Sequence, residues 1–443
     1  MAKSPRRNQD RDAGARKTAA WGLLYQGLYA AAQLIVLGLI ARNVSDDVYG
    51  LWLAVLALGA WVAAASVGQH AVILTVVGAN ASTDHRTARA AFGASLVLVS
   101  GISLSLVLLL GLSASLIPWA QILNADTPQA STMAGRVTLA ALTVSLLSLP
   151  LVAGGYVVYA HQRGDLMHLL MGAGTLASLA GVALVMALQL PFWVVGAMSL
   201  AGPLFGGFMI WALHYGSALM PRPVWRDIGK PALMSAWRAG TTFLIIDLIG
   251  FGLVRTPELV VAHLHGIEAV GPFATVGRFP LLLLAAYHAV LLPYWPSLAE
   301  AAQGGDKELV RSIAMRSLGL MLVIASVSAV VMPVIGPSLI DAWIGRPGFA
   351  SPDLLWAAGA QSLALGWLTW ISVLLGALSH QRTLAVGLGA AMIVYFGGAA
   401  AFGSIVGPVG VAVAQAASIL LVAGAVSLPT VIRVLKAKPA ARF

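Results

Sequence analysis

Ala41-Arg42-Asn43-Val44-Ser45-Asp46-Asp47-Val48-Tyr49-Gly50-Leu51-Trp52 has a counterpart 221 residues further along, in the run from Ala262 to Phe273. In that register Ala41 meets Ala262, Asp47 meets Glu268, Gly50 meets Gly271 and Trp52 meets Phe273. The tripeptide His161-Gln162-Arg163 returns as His380-Gln381-Arg382 at an offset of 219, close to half of the 443 residues. Both pairs sit at the ends of long apolar stretches. Two independent matches at nearly one offset point to two copies of one membrane bundle fused head to tail. The interface between such halves is where a transporter keeps its substrate path.

Composition agrees with a membrane solvent. The chain is 59% hydrophobic and 9% charged, with a mean hydropathy of +0.88. A soluble domain carries about 25% charged residues, so a water-soluble fold is excluded. There is no cysteine, which excludes disulfides, thiolate metal sites and cysteine nucleophiles. Crossing a bilayer takes about 20 apolar residues, and twelve stretches qualify: 18–40, 50–78, 91–116, 137–159, 166–189, 192–214, 239–262, 272–296, 313–336, 354–378, 383–403 and 409–432. All are expected to be helical, because lipid offers no partner to an open backbone.

With the N-terminus inside, 21 of the 26 Lys and Arg residues fall on one face. Arg42, Arg136 and Arg346 lie on the other, and Arg255 and Arg278 lie within spans. This asymmetry predicts cytoplasmic N- and C-termini. It also accounts for the net charge of +10 without nucleic acid as a partner. Arg6-Arg7 resembles a twin-arginine export signal, but the following residues stay polar to Thr18 and no cleavage site follows the apolar run. The first span is therefore read as an uncleaved anchor, with anionic membrane lipids as contacts of the basic tail.

The expected organisation is a basic tail (1–17), a six-span lobe (18–215), a cytoplasmic linker (216–238), a second six-span lobe (239–432) and a basic tail (433–443). Six spans return each half to its starting face, so the halves are parallel repeats. No loop holds a catalytic domain, and there is no His-Glu-x-x-His, P-loop or Gly-x-Ser-x-Gly. Gly172-Ala173-Gly174-Thr175-Leu176-Ala177 matches a loose dinucleotide fingerprint, but it lies inside a span and is read as close helix packing. His263 and His265 are read as plain loop residues. Neither a metal nor a cofactor is expected, and the chain is read as a non-enzyme.

Ionisable groups inside spans are costly and mark function. They concentrate in spans seven and eight: Asp247, Arg255 and Glu258, then Arg278 and His288. Guanidinium suits phosphate, because its planar fork binds oxygens bidentately and stays charged. Arg255, Arg278 and His288 are therefore candidate pyrophosphate contacts. The alternative is an Arg255–Glu258 ion pair, three residues apart, that seals the outer end of span seven. Asp247 and Glu258 are candidates for coupling transport to a proton or sodium gradient. A polar stripe on span one, Tyr25 or Gln26 with Tyr29 and Gln33, could line a sugar-binding lumen or be packed between helices. Arg42 is read as an interfacial anchor partnered by Asp46 or Asp47. Pro150, Pro203, Pro257, Pro280, Pro293 and Pro333 are expected bends.

Ala-Arg, a short acidic turn and Gly-Leu-Trp at 41–52 resemble the start of the Wzx-type polysaccharide flippases, of the superfamily that includes multidrug and toxic compound exporters and the lipid II flippase. The run from Glu258 through Gly266-Ile267-Glu268-Ala269-Val270-Gly271 to Pro293 and Leu298 is similar to that family's seventh and eighth spans. The His-Gln-Arg turns look like its inner turns after spans four and ten. The resemblance runs from about 18 to 432. It implies an all-α, V-shaped fold of two six-helix lobes, with spans one, two, seven and eight lining a cleft. The implied function is alternating-access transfer of undecaprenyl-pyrophosphate-linked oligosaccharide across a bacterial cytoplasmic membrane, for O-antigen, capsule or exopolysaccharide, beside a polysaccharide polymerase or other assembly proteins. Lipid II flippases carry fourteen spans, which argues against that branch. Alternatives are a multidrug exporter of the same superfamily, a major facilitator, whose glycine- and arginine-rich signature is missing at Asn80 to Arg89, and a membrane enzyme of polysaccharide assembly.

The charge pattern makes the topology testable. Reporters fused at Asn124 and Gly345 are expected to read outside, and one at Phe443 inside; an outside signal at Phe443 overturns the arrangement.

Overall fold

The structure is a computed structural model. It describes residues 5–62, 66, 68–77, 84–220, 222–291, 298, 301, 306–378 and 380–436, with some side chains in these ranges left undescribed. Helix dominates the described residues. The helices are α1 (Pro5–Ala41), α2 (Asp46–Val62), α3 (Gln69–Val72, continued by a π-helical turn, Ile73–Val77), α4 (His85–Leu112), α5 (Trp119–Ile122), α6 (Pro128–Ala160), α7 (Gly164–Ala187), α8 (Phe192–Ser199) and α9 (Gly202–His214). They continue as α10 (Lys230–Arg255), α11 (Pro257–His265), α12 (Val270–Leu291), α13 (Lys307–Ile344), α14 (Pro352–Ala377), α15 (Gln381–Val406), α16 (Pro408–Ala417, running into the π-helical Ser418–Ala423) and α17 (Gly424–Lys436).

Among the described residues, nine helical segments are long and apolar enough to cross a membrane, or ten when the bent pair α8–α9 counts as one. The chain is a multi-pass membrane protein. The two remaining expected spans, 50–78 and 239–262, coincide with helices that break. Helix α2 ends at Val62 before α3 begins at Gln69, and α10 gives way to α11 at Thr256. The prolines divide by position. Pro203 and Pro257 stand in the first turns of α9 and α11, where the fixed φ of proline suits a helix start, and mark breaks in the chain path. The α8–α9 bend is 55°. Pro150, Pro280 and Pro333 lie inside continuous helices, and Pro293 lies outside the described residues.

Helix ends are set by local chemistry. Asp84, Thr127, Asp306 and Ser351 cap α4, α6, α13 and α14 by accepting N–H groups of the first turn. Gly345 closes α13 in the left-handed region at φ 78°.

Packing groups the chain into two compact units. Unit 1 comprises Met1–Ile40 and Val55–Leu248; unit 2 comprises Ala41–Ala54 and Ile249–Phe443. The turn at 41–54 thus packs with the second half of the chain, and the beginning of α10 with the first. Within unit 1, Asp165 in the first turn of α7 is buried and paired with Lys17 of α1 (2.8 Å) and with Arg163 (3.2 Å). The linker is tied to α4 by Arg86, which donates to Asp227 at 3.1 Å. Within unit 2, α14 is the central helix, with 78% of its apolar window buried, whereas α13 is 17% buried and presents its apolar surface outward. The indole N–H of Trp370 on α14 reaches the Ala314 carbonyl and the Ser317 hydroxyl of α13, each at 3.2 Å.

The glycine run at 172–174 is a packing seam. A Cβ on Gly174 would stand 2.3 Å from the Gly206 nitrogen and 2.4 Å from the Gly202 oxygen, so α7 and α9 touch backbone to backbone. Gly174→Val is therefore expected to lower the melting temperature in detergent sharply, since overpacking costs about 1–3 kcal/mol. Gly111→Val, at a position open on all sides, is the control that should leave it unchanged.

Candidate functional site

A buried polar cluster in unit 2 forms where α10 breaks into α11. Proline at 257 has no N–H, so the carbonyl four residues earlier, that of Leu253, loses its helical donor. The side-chain amide of Gln415 on α16 supplies one, donating to the Leu253 oxygen at 2.8 Å. Gln361 on α14 holds that amide in place by donating to the Gln415 carbonyl oxygen at 2.6 Å. Both glutamines are buried.

Glu258 follows the break, in the first turn of α11, and is only 5% exposed. Its position at a helix N-terminus favours a negative charge. Its Oε2 is a buried oxygen without a hydrogen-bond partner. The Thr256 hydroxyl and the Tyr395 hydroxyl are likewise buried and unpartnered. The Tyr395 phenol on α15 lies within electrostatic reach of the Glu258 carboxylate. Three unsatisfied oxygens thus lie on α11, α15 and the α10–α11 break, and each such buried group is costly.

Arg255 ends α10, half-buried. Arg278 is half-buried on α12, and its Nε is a buried donor without a partner. One turn earlier, the Thr275 hydroxyl bonds to the Tyr49 hydroxyl at 2.9 Å, and the Arg278 charge is felt at that phenol. Arg278 is thus a cation with unused donor capacity inside unit 2. The side chains of Asp247 and His288 lie outside the described residues. The backbone of Asp247 belongs to unit 1 and that of Glu258 to unit 2, so the two expected coupling carboxylates are placed in different units.

The stripe on α1 belongs to unit 1. Gln26 and Tyr29 are exposed and Gln33 is half-buried. Tyr25, the alternative to Gln26, turns inward: its hydroxyl bonds to Thr175 and its ring stacks on His168 at 5.6 Å. Gln26, Tyr29 and Gln33 remain as the open polar positions of the helix.

Arg42 departs from expectation. It donates not to Asp46 or Asp47 but to the carbonyls of Ala342 (2.8 Å) and Trp343 (3.1 Å), at the end of α13. The last carbonyls of a helix have no helical donor and carry its negative pole, which makes them the better partner. Asp46 is taken instead by Arg346. Sequence reading also missed Gln361, Gln415 and Tyr395. Their signal is a polar group inside an otherwise apolar span, present in the sequence but uncharged.

Neither a family model nor a curated protein sequence matches the chain. Solved structures do. An inward closed structure of the lipid II flippase MurJ matches with a TM-score of 0.74 at 14% identity, covering 93% of this chain and 87% of that one. An inward-facing multidrug resistance transporter of the MATE family in the MOP superfamily matches with a TM-score of 0.69 at 17% identity, over 95% and 100%. A MOP superfamily transporter from Pyrococcus furiosus matches with a TM-score of 0.67 at 16% identity, over 97% of each chain. The chain shares the fold of these MOP superfamily transporters.

The break is testable on its own. Gln415→Leu removes the donor to the Leu253 carbonyl and should cost about 1–3 kcal/mol. Pro257→Ala restores a backbone N–H at the position that serves that carbonyl in a continuous helix. In a double-mutant cycle followed by thermal melting, Pro257→Ala should recover most of the Gln415→Leu loss, with a coupling above about 0.5 kcal/mol; additive losses would mean that the amide does not replace the missing donor.

Proposed function

We propose that the protein is a flippase that moves undecaprenyl-pyrophosphate-linked oligosaccharide from the inner to the outer leaflet of a bacterial cytoplasmic membrane. The observation that carries this reading is Arg278, a half-buried guanidinium whose Nε is buried and unpartnered. A permanent positive charge with idle donors is costly inside a membrane span and becomes favourable when a phosphate oxygen arrives. The fold shared with a lipid II flippase supports the substrate class, as does the sequence resemblance to Wzx-type proteins.

In this reading Arg255 and Arg278 hold the pyrophosphate, His288 assists, and Gln26, Tyr29 and Gln33 offer amides and a phenol to sugar hydroxyls. Alternating access carries the polar head across while the lipid tail stays in the bilayer. Glu258 is the coupling group: a single buried carboxylate beside a phenol and a threonine hydroxyl can take up a cation and release it when the cluster opens to the other side. The membrane orientation is that of the charge pattern, with both termini cytoplasmic. Surface-polymer polymerase is the expected neighbour.

Deleting the gene should trap undecaprenyl-linked repeat units on the cytoplasmic side and remove the surface polymer. Complementation with Arg278→Ala should fail while the protein still inserts at normal level. Arg278→Lys should restore little, because it keeps charge without the bidentate fork. Losing one charge-assisted contact corresponds to ~1.5–3 kcal/mol, or about tenfold to hundredfold in affinity. A deletion strain with normal surface polysaccharide and new sensitivity to cationic drugs would replace this reading with a multidrug exporter, in line with the multidrug resistance transporter of the MATE family that shares the fold.

A further inference from the structure

The segment that joins the two repeats, expected as a plain cytoplasmic linker, is pinned to unit 1 at several points. Met220 is fully buried, and its carbonyl accepts the N–H of Gly216 at 2.9 Å. Pro223 and Ile228 rest on Gly93 of α4: a Cβ there would stand 2.6 Å from Ile228 Cδ1 and 3.3 Å from Pro223 Cβ. Between them in sequence, Asp227 accepts from Arg86 at 3.1 Å and faces Arg89 at 3.9 Å. The first part of α10, to Leu248, continues on the same unit.

This strap carries more cations than its carboxylates can pair. Arg86, Arg89, Arg222, Arg226 and Lys230 share the neighbourhood with two acids, Asp84 and Asp227. Asp84 is occupied at the start of α4, where it accepts the N–H groups of Arg86 and Thr87 and the Thr87 hydroxyl. Asp227 serves Arg86 and Arg89 together. Among the described residues no carboxylate pairs with Arg222, Arg226 or Lys230. Arg222 lies instead over the Tyr215 ring, 5.7 Å from its centre. The Nε of Arg89 is a buried donor without a partner. The turn at 161–165 is different, because Lys17 and Arg163 both end on the buried carboxylate of Asp165.

The side chains interleaved with these cations are apolar. Tyr215, Val224, Met234 and Trp237 are all exposed. Such a mixture suits a bilayer boundary, where rings and aliphatic stems reach toward the acyl region and cations stand at the level of the phosphates. The charge pattern assigns this segment to the inner face. We propose that the linker, 216–238, is a docking surface for an anionic phospholipid of the inner leaflet, with the lipid phosphate taken by Arg89, Arg226 and Lys230 and its apolar part against Val224. Arg89 supplies directed N–H donors and Lys230 a mobile point charge. A zwitterionic headgroup carries its own cation and gains less here. The inference uses no residue of the proposed transport site, so it stands apart from the flippase reading.

The chain has no cysteine, so Val224→Cys places a single bimane label on the strap. In phosphatidylcholine nanodiscs, quenching of that label is compared between phosphatidylglycerol and phosphatidylcholine, each spin-labelled on an acyl chain and added at equal mole fraction. A cation near an anionic lipid surface is worth about fivefold in affinity. Phosphatidylglycerol is expected to be preferred about fivefold or more, at the scale of one such cation. Arg226→Gln with Lys230→Gln, at two exposed positions, should bring the preference close to parity. Lys436→Gln with Lys438→Gln removes the same charge from the C-terminal tail and should leave it unchanged. Equal quenching by the two lipids overturns the proposal, as does a preference that survives Arg226→Gln with Lys230→Gln. An equal loss from the tail variant overturns it too, since the preference would then follow overall charge. Abolition of the preference by inorganic phosphate at constant ionic strength would mean a site for free phosphate and would also overturn it.

Discussion

Hydrocarbon offers no hydrogen bond, so every carbonyl that a helix releases must find a donor within the protein. That constraint organises unit 2. Pro257 releases the Leu253 carbonyl, Gln415 takes it, and Gln361 holds Gln415. Three helices, α10, α14 and α16, are thereby fixed around one missing N–H. With the break held open in this way, the next residues of the chain, Thr256 and Glu258, can present oxygens that are not consumed by helix bonds. An unbroken helix with an apolar residue at 415 would remove both the strain and the cluster.

The same rule explains the exposed arginines. Carbonyls at the end of α13 are released by helix geometry rather than by proline, and Arg42 takes two of them. Near the membrane surface this partner competes with water, and inside the span it would not. The polar contacts at the break are buried amides, whereas those of the turn at 41–46 are made by Arg42, Asp46 and Arg346 with partial exposure to water.

Much of this fold was legible in the sequence. Apolar run lengths located the long helices, and the repeated turns at 41–52 and 262–273 marked segments that pack together in unit 2. Breaks were legible only in part: Pro203 and Pro257 mark them, but Pro150 and Pro333 sit inside continuous helices. A proline at a first turn and one in a helix interior look alike until neighbouring donors are known. The charged residues of the site were visible because charge is rare in a span. Gln361, Gln415 and Tyr395 were not singled out, because neutral polar groups stand out less and their partners lie 54 to 162 residues away. Local reasoning failed for Arg42 for the same cause: its nearby carboxylates were in view, and the carbonyls 300 residues away were not.

The quasi-equivalent contact of Gly50 and Gly271 bears on why the duplication is visible at all. Most of a span can drift in sequence, since lipid-facing and packed apolar positions accept many residues. Two turns that press on each other cannot drift separately. A side chain at Gly50 would collide with the Ile267 carbonyl, and one at Gly271 would push on the Tyr49 ring. The motif is thus constrained from both copies at once. The turns keep their likeness where the helices around them have lost it, and the segment whose repetition reveals the architecture is also the one that Arg42 and Arg346 tie to the end of α13.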